Sequence, residues 1–381
     1  METEDFNALT GDSSLSEENK YGLKWYSKYK CSSFLLCLLY RTGLLVESDK
    51  TFGSKIIFRM LLLLVLLANT YRAYSYFAYP SKIISDLFFR INFIQFLSYL
   101  LSIAMWYAMR RKRKSLSILL CRLRNSHPFT RSRLQTFLLL FACSMPITFE
   151  IMARITMARK VAGSLDNYYF SIVLFSLLSW VQIIMYPMWT NLIVLSYGLL
   201  CQTICRQLHL LRAHIEKCPP QEFTILMQSD VVKHELKINL SVQLLQKVFS
   251  VPSFFMACSH FCTCITALGT IILLGSSKLP FMILIQISFM FVNACGGLLS
   301  CLWMAGGLPR EASKLKDAYC RKLQQRRLLV GEEGAACFEK KLLEISSYVL
   351  SGCNIISFYR SSILGLAGTI LTYAVLLINS H

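Results

Sequence analysis

The sequence predicts an all-α membrane protein of seven transmembrane helices, with the N-terminus cytoplasmic, the C-terminus extracellular and long helical extensions on the cytoplasmic side. Three observations predict it. Of the 381 residues, 55% are hydrophobic and only 16% are charged, against roughly 45–50% and 25% in an ordinary soluble domain. The apolar residues gather in blocks of about 20, the length that crosses a hydrocarbon core about 30 Å thick. The basic residues fall between those blocks, dense in alternate segments.

The elements follow in chain order. Residues 1–30 are polar and open acidic, with Glu2, Glu4 and Asp5. They lack the basic start and apolar run of a secretory signal, so they read as a cytoplasmic tail and the first span serves as the insertion signal. The stretch CSSFLLCLLYRTGLLV at 31–46 is apolar but short, and Arg41 interrupts it. It reads either as an interfacial or re-entrant helix, or as a short extra span that would invert everything after it. The spans are 54–76, 87–109, 134–155, 168–198, 250–274, 281–304 and 354–379. The fourth is too long for one crossing and is expected to run on into the cytoplasm, with Pro187 as a point of kinking. In 199–217, Leu200, Ile204, Leu208, Leu211 and Ile215 recur at three- and four-residue steps and give one apolar face. The stretch 311–350 reads as charged amphipathic helix broken near Gly331 and Gly334. These inner helices pack either on their own chain or between subunits.

Orientation comes from lysine and arginine. With the N-terminus inside, the inner segments 1–55, 110–133, 199–249 and 305–352 hold 31 of the 40 basic residues. The outer segments and outer span ends hold six: Arg72, Lys82, Arg154, Arg159, Lys160 and Lys278. Such a bias sets topology. The run RRKRK at 110–114 follows the second span directly and fixes its end in the cytoplasm.

The same reading excludes several classes. The net charge of +19 is the charge of inner loops, and no nucleic-acid-binding module accompanies it. A G-protein-coupled receptor has the reverse orientation, and neither a DRY triplet nor an NPxxY pattern is present. No nucleophile elbow, phosphate loop or dinucleotide fingerprint occurs, so an enzyme is not expected, nor is any cofactor. The 15 cysteines fall in spans or on the inner side, which suits reduced thiols. Cys258, Cys262, Cys264 and His260 cluster in the fifth span, without zinc-ribbon spacing and in an apolar setting where buried Cys acts as a small hydrophobe. The outer loops are too short for a capture domain, so any small ligand must enter a cavity among the helices.

The last span, SGCNIISFYRSSILGLAGTILTYAVLLINSH at 351–381, carries the most information. Thr372-Tyr373 is followed by the apolar residues Ala374, Val375, Leu376, Leu377 and Ile378 and then by Asn379-Ser380. This resembles the arthropod, insect-type gustatory-receptor family, whose last helix carries Thr-Tyr, five apolar residues and Gln-Phe. The stretch FYRSSILGLAGTI also resembles that family's approach to the signature. Asn379 replaces Gln with a shorter amide, and Ser380 in place of Phe departs from the pattern. The resemblance in residues covers about 30 positions, and in architecture the whole chain.

The resemblance implies a chemosensory, ligand-gated, non-selective cation channel in the plasma membrane, built as a homo- or hetero-tetramer of related subunits, whose partners are a small organic ligand, the permeant cations and the bilayer. It divides the chain into a cytoplasmic N-terminal region (1–53, including 31–46), a six-helix ligand-binding bundle (54–304), a cytoplasmic helical anchor (305–352) and a pore-lining last helix (353–381). The pore positions it implies are Thr372, Tyr373, Leu376, Asn379 and Ser380. Leu376 and Ser380 share a helix face. A ring of Leu376 forms a constriction that gates by dewetting, and a ring of Asn379 offers amide oxygens to a cation. Small, wet Ser380 puts the barrier mainly on Leu376. The candidate ligand contacts are Arg90, Gln95, Glu150, Tyr169 and Gln286, polar groups toward the outer ends of their spans among Phe93, Phe149 and Tyr168. Glu150 pairs with Arg90 or Arg154 in the alternative, purely structural reading. Arg360 faces the inner pore mouth or pairs between helices. Sugar-sensing relatives often carry an acidic residue where this chain has Ala374, which disfavours a sugar. The competing functional reading is a secondary transporter of small organic solutes, which calls for internal repeats and broken helices near the midplane.

Overall fold

The computed structural model describes residues 86–126, 188–274, 281–330 and 348–379, together with the single positions Leu39, Leu44, Leu63, Leu67, Thr70 and Thr148. The expected spans 54–76 and 134–155, most of 168–198 with Pro187, and the break at Gly331 and Gly334 lie largely or wholly outside these residues. Leu63, Leu67, Thr70 and Thr148 are helical.

The fold is all-α apart from one short hairpin. Helix α1 (Asp86–Arg111) carries the second span and ends in basic residues. One residue, Lys112, separates it from α2 (Arg113–Ser126), and the Lys112 N–H still donates to the carbonyls of Ala108 (3.3 Å) and Met109 (3.0 Å). The apolar residues of α2 recur at Leu116, Leu119, Leu120 and Leu123, so one stripe is buried and the other face stays charged.

Helix α3 (Thr190–Lys217) joins the inner end of the fourth span to the amphipathic stretch without a break. Leu200, Ile204, Leu208 and Ile215 are buried along it. It stops at Cys218, which takes φ −66° and ψ 128°, the extended backbone preferred before a proline such as Pro219.

Helix α4 (Ile225–Leu274) is 50 residues long. At 1.5 Å per residue it reaches about 75 Å, more than twice a hydrocarbon core. It is thus both the fifth span and a strut that runs on beyond it. Helix α5 (Phe281–Ala305) is the sixth span. Helix α6 (Gly307–Val330) follows after Gly306, whose N–H still donates to the Leu302 carbonyl at 2.9 Å. Across the inner region, Arg212 of α3 meets Glu311 of α6 at 3.3 Å, and Lys314 closes on the same carboxylate at 2.7 Å. Burial alone would raise the pKa of Glu311, but Lys314, Arg212 and His209 together hold it below the usual value.

Before the last helix the expectation is corrected. Residues 354–361 are not helical. Strands β1 (Ser351–Gly352) and β2 (Ile356–Ser357) pair antiparallel, Ser351 opposite Ser357 and Gly352 opposite Ile356. Cys353 and Asn354 take positive φ, 53° and 58°, and the Ile355 N–H closes the turn on the Gly352 carbonyl at 2.9 Å. Asn tolerates the left-handed region because its short amide bonds locally. Helix α7 begins only at Ser362 and runs to Asn379.

One core joins α1 to α6, the hairpin and α7. Leu39 and Leu44, from the short apolar stretch near the N-terminus, belong to it and are fully buried. Trp106 meets Trp189 edge-on at 5.2 Å, and Tyr197 lies between Phe249 (5.0 Å) and Phe358 (6.4 Å).

Candidate functional site

Two regions hold those residues singled out from the sequence that the structure describes. The first is α7. Ile363, Leu366 and Ile370 turn toward the core, and Tyr373 lies edge-on to Phe261 at 6.3 Å. Among its other described side chains, Leu364 is 78% exposed, Leu371 67%, Val375 47% and Leu376 58%. A Cβ placed on Gly365 or Gly368 would meet open space. Thr372 is exposed, but its hydroxyl donates to the Gly368 carbonyl at 2.9 Å, and Thr369 does the same to Gly365. The hydroxyls therefore satisfy the helix itself. Leu376 stands on the uncovered side, Tyr373 is half-covered by Phe261, and Asn379 is the last helical residue. Ser380 lies outside the described residues.

The helix is aimed by what precedes it. Gln246 of α4 grips Ser351 three times: its Nε2 donates to the Ser351 carbonyl (2.9 Å) and hydroxyl (2.7 Å), and its Oε1 accepts from the Ser351 N–H (3.0 Å). The Cys353 N–H donates to both the carbonyl and the hydroxyl of Ser250, each at 3.1 Å. This dock lies beside Pro252, where α4 has already lost an intrahelical bond. Gly352 presses on Phe254 so closely that an added Cβ would fall 3.1 Å from its Cα. The Phe358 N–H donates to Leu350 at 2.9 Å. Arg360 stacks over Trp303, 4.0 Å from the ring centroid, in the notch left by Gly306, whose Cβ would fall 2.8 Å from the Arg360 backbone N.

The second region is the interior of the bundle. Ser98 and Ser102 of α1, Thr190 of α3, and Ser259 and Thr263 of α4 form a buried hydroxyl cluster. Ser98 Oγ is 2.9 Å from Thr263 Oγ1, Ser102 Oγ is 2.9 Å from Ser259 Oγ, and Ser259 donates to the Ser98 carbonyl at 3.0 Å. Small residues of this kind let helix backbones approach and bond across the interface. Beside it, Asn191 and Asn293 exchange amide hydrogen bonds of 3.0 and 3.3 Å between α3 and α5. Of the candidate ligand contacts, Gln95 is half-buried and donates to the Tyr99 hydroxyl at 3.4 Å, and Gln286 is half-buried on α5. Phe93 is exposed and does not line this interior. Arg90 belongs to α1, but its side chain lies outside the described residues, as do Glu150 and Tyr169. His260 is buried against α5, where only a glycine fits, because a Cβ on Gly297 would fall 2.5 Å from its Nε2. Cys264 and Cys295 bring their sulfurs to 3.4 Å as free thiols.

Sequence reading missed the hydroxyl cluster, the amide pair and the Gln246 clamp. A signal for the first existed: Ser98 with Ser102, and Ser259 with Thr263, repeat at four-residue steps inside apolar spans. Gln246 left none, because a lone glutamine on an inner helix has no distinguishing pattern.

The arrangement defines an all-α membrane bundle whose last helix is held by a hairpin and presents an uncovered apolar side. No family model matches the chain, and neither does any curated sequence. Solved structures do. The olfactory receptor OR5 of the insect Machilis hrabei, in complex with eugenol, superposes with a TM-score of 0.65 over 96% of this chain and 100% of that one, at 15% identity. A second structure of the same receptor gives 0.65 over 91% and 99%, at 14% identity. The chain shares the fold of that receptor over 96% of its length.

Proposed function

We propose that this protein is a chemosensory receptor of the gustatory type, a ligand-gated cation channel in the plasma membrane. The observation that carries the reading is the likeness in fold to an insect olfactory receptor over 96% of the chain. Thr372-Tyr373 and the apolar run after it support the gustatory assignment, and the uncovered side of α7 supports a pore shared among subunits. In this reading four chains surround one axis, the inner halves of α3, α4 and α6 join them, and the N-terminus is cytoplasmic. Leu376 forms the constriction, Asn379 and Ser380 lie beyond it, and Thr372 and Tyr373 orient the helix. The ligand is a small organic molecule held in the bundle among Arg90, Gln95, Glu150, Tyr169 and Gln286.

The test is whole-cell recording from cells expressing the chain, challenged with eugenol and a panel of small aromatic and bitter compounds under ion substitution. A reversible, ligand-evoked cation current is expected. Saturable solute uptake without such a current would place the protein among transporters. An N-terminal epitope accessible on intact cells would overturn the orientation, and cross-linking that stops at a dimer would overturn the tetramer.

A further inference from the structure

The strongest unassigned surface is the basic junction between α1 and α2. Arg110, Arg111, Lys112, Arg113 and Lys114 are consecutive, and no carboxylate occurs in the sequence between Asp86 and Glu150. Arg111 and Lys114 are exposed. Their level relative to the bilayer is marked by two rings one turn earlier. Arg110 lies over Trp106 at 5.5 Å, and Arg111 over Tyr107 at 5.9 Å. Trp106 is buried in the bundle, whereas Tyr107 is 53% exposed on the outer surface of α1. An exposed tyrosine at the end of a span, with a guanidinium above its face, is the arrangement expected where hydrocarbon gives way to headgroups. Helix α2 then turns its leucines inward and exposes Lys114. Burial, and after it the neighbouring charge of Arg113, lowers the pKa of Arg110.

We infer that the 110–114 cluster, with Tyr107 beside it, binds the headgroups of anionic phospholipids in the leaflet at the α1–α2 junction. With the N-terminus inside, that leaflet is the cytoplasmic one, which is where anionic lipids concentrate. The inference rests on the membrane placement of α1 and not on channel activity. It differs from a general topological bias in requiring preferential occupancy by anionic lipid at these residues.

The experiment needs no agonist and no current. Full-length protein is reconstituted in phosphatidylcholine nanodiscs containing trace spin-labelled lipids, and the immobilised fraction of each is read by electron paramagnetic resonance. Phosphatidylserine and phosphatidylinositol bisphosphate are expected to be immobilised at least about threefold more than phosphatidylcholine, with the selectivity weakening between roughly 50 and 500 mM salt. In R111Q/K114Q, which alters only exposed side chains, the selectivity is expected to fall toward unity, while K316Q/R321Q on α6 leaves it unchanged. Equal immobilisation of neutral and anionic lipid by the wild type overturns the proposal. So does selectivity that survives R111Q/K114Q in protein that still elutes as a single species. Sensitivity to the bisphosphate alone would narrow the partner to polyphosphorylated headgroups.

Discussion

Leu376 is 58% exposed on α7. If four such residues close a pore, replacing them with alanine removes the apolar ring that keeps water out. The expected outcome for Leu376→Ala is a standing current without ligand, at least about tenfold above wild type, since each ~1.4 kcal/mol taken from the closed state is a factor of ten. Patch-clamp recording decides it, and an unchanged closed state would remove Leu376 as the gate. Gln246 poses a different residue-scale problem. Its three bonds reach the carbonyl, hydroxyl and N–H of half-buried Ser351, and truncation removes all three. Gln246→Ala is expected to cost about 1–3 kcal/mol of hairpin docking, read as faster maleimide labelling of Cys353 in mass-spectrometric footprinting. If Cys353 labels at the wild-type rate, the clamp does not hold the hairpin.

At the scale of elements, the hairpin is fixed by close backbone approach as much as by hydrogen bonds. Gly352 faces Phe254 Cα at what would be 3.1 Å from a Cβ, and backbone cannot rotate aside. Gly352→Ala is therefore expected to destabilise the dock by about 1–3 kcal/mol and to raise Cys353 labelling as Gln246→Ala does. Gly365→Ala on α7, where a Cβ meets open space in the single chain, is expected to leave that labelling unchanged. Legibility in the sequence differs sharply between these elements. The apolar face of α3 was readable because Leu200, Ile204, Leu208 and Ile215 repeat at helical spacing. The start of α7 was not. Ile355, Ile356 and Phe358 continue the apolar character of the span, so composition extends the helix upstream to 354. What ends it is pairing across a left-handed turn at Cys353 and Asn354, a long-range property of the dock on α4 that a local window does not contain. The candidate ligand residues were legible only as polar groups in apolar blocks. That criterion finds Gln95 and Gln286, but it cannot say which groups converge. The hydroxyls of Ser98, Ser259 and Thr263 also converge, and serine is too common in spans to stand out.

For the molecule as a whole, the inner region carries a buried carboxylate whose titration reports on folding. Glu235 of α4 is 4% exposed and accepts a hydrogen bond from the Tyr348 hydroxyl. Burial raises its pKa above the ordinary glutamate value, and the Tyr348 bond offsets part of that rise. Burial, and then the Glu235 carboxylate, raises that of Tyr348 in turn. A carboxyl with a raised folded pKa favours the folded state most when both states are protonated, and it loses that contribution as pH climbs through the folded value. Glu235→Gln keeps an acceptor for Tyr348 without the charge. It is expected to raise the midpoint of thermal unfolding at pH 7, with the gain shrinking as pH falls through the raised folded value and gone below about 4.3. Tyr348→Phe is expected to lower stability at pH 7 by about 1–3 kcal/mol, because a buried carboxylate loses its donor. Thermal melts of purified protein across pH 4–8 measure both, and a Glu235→Gln gain that does not vary with pH would reject the assignment.

Helix α4 bears the hydroxyl cluster in its membrane half, the Gln246 and Ser250 anchors near its middle and Glu235 toward its inner end. It is a single beam with one point of compliance, Pro252, placed between the first of these and the other two. Any bend of α4 at that proline would fall between the hydroxyl cluster and the hairpin dock.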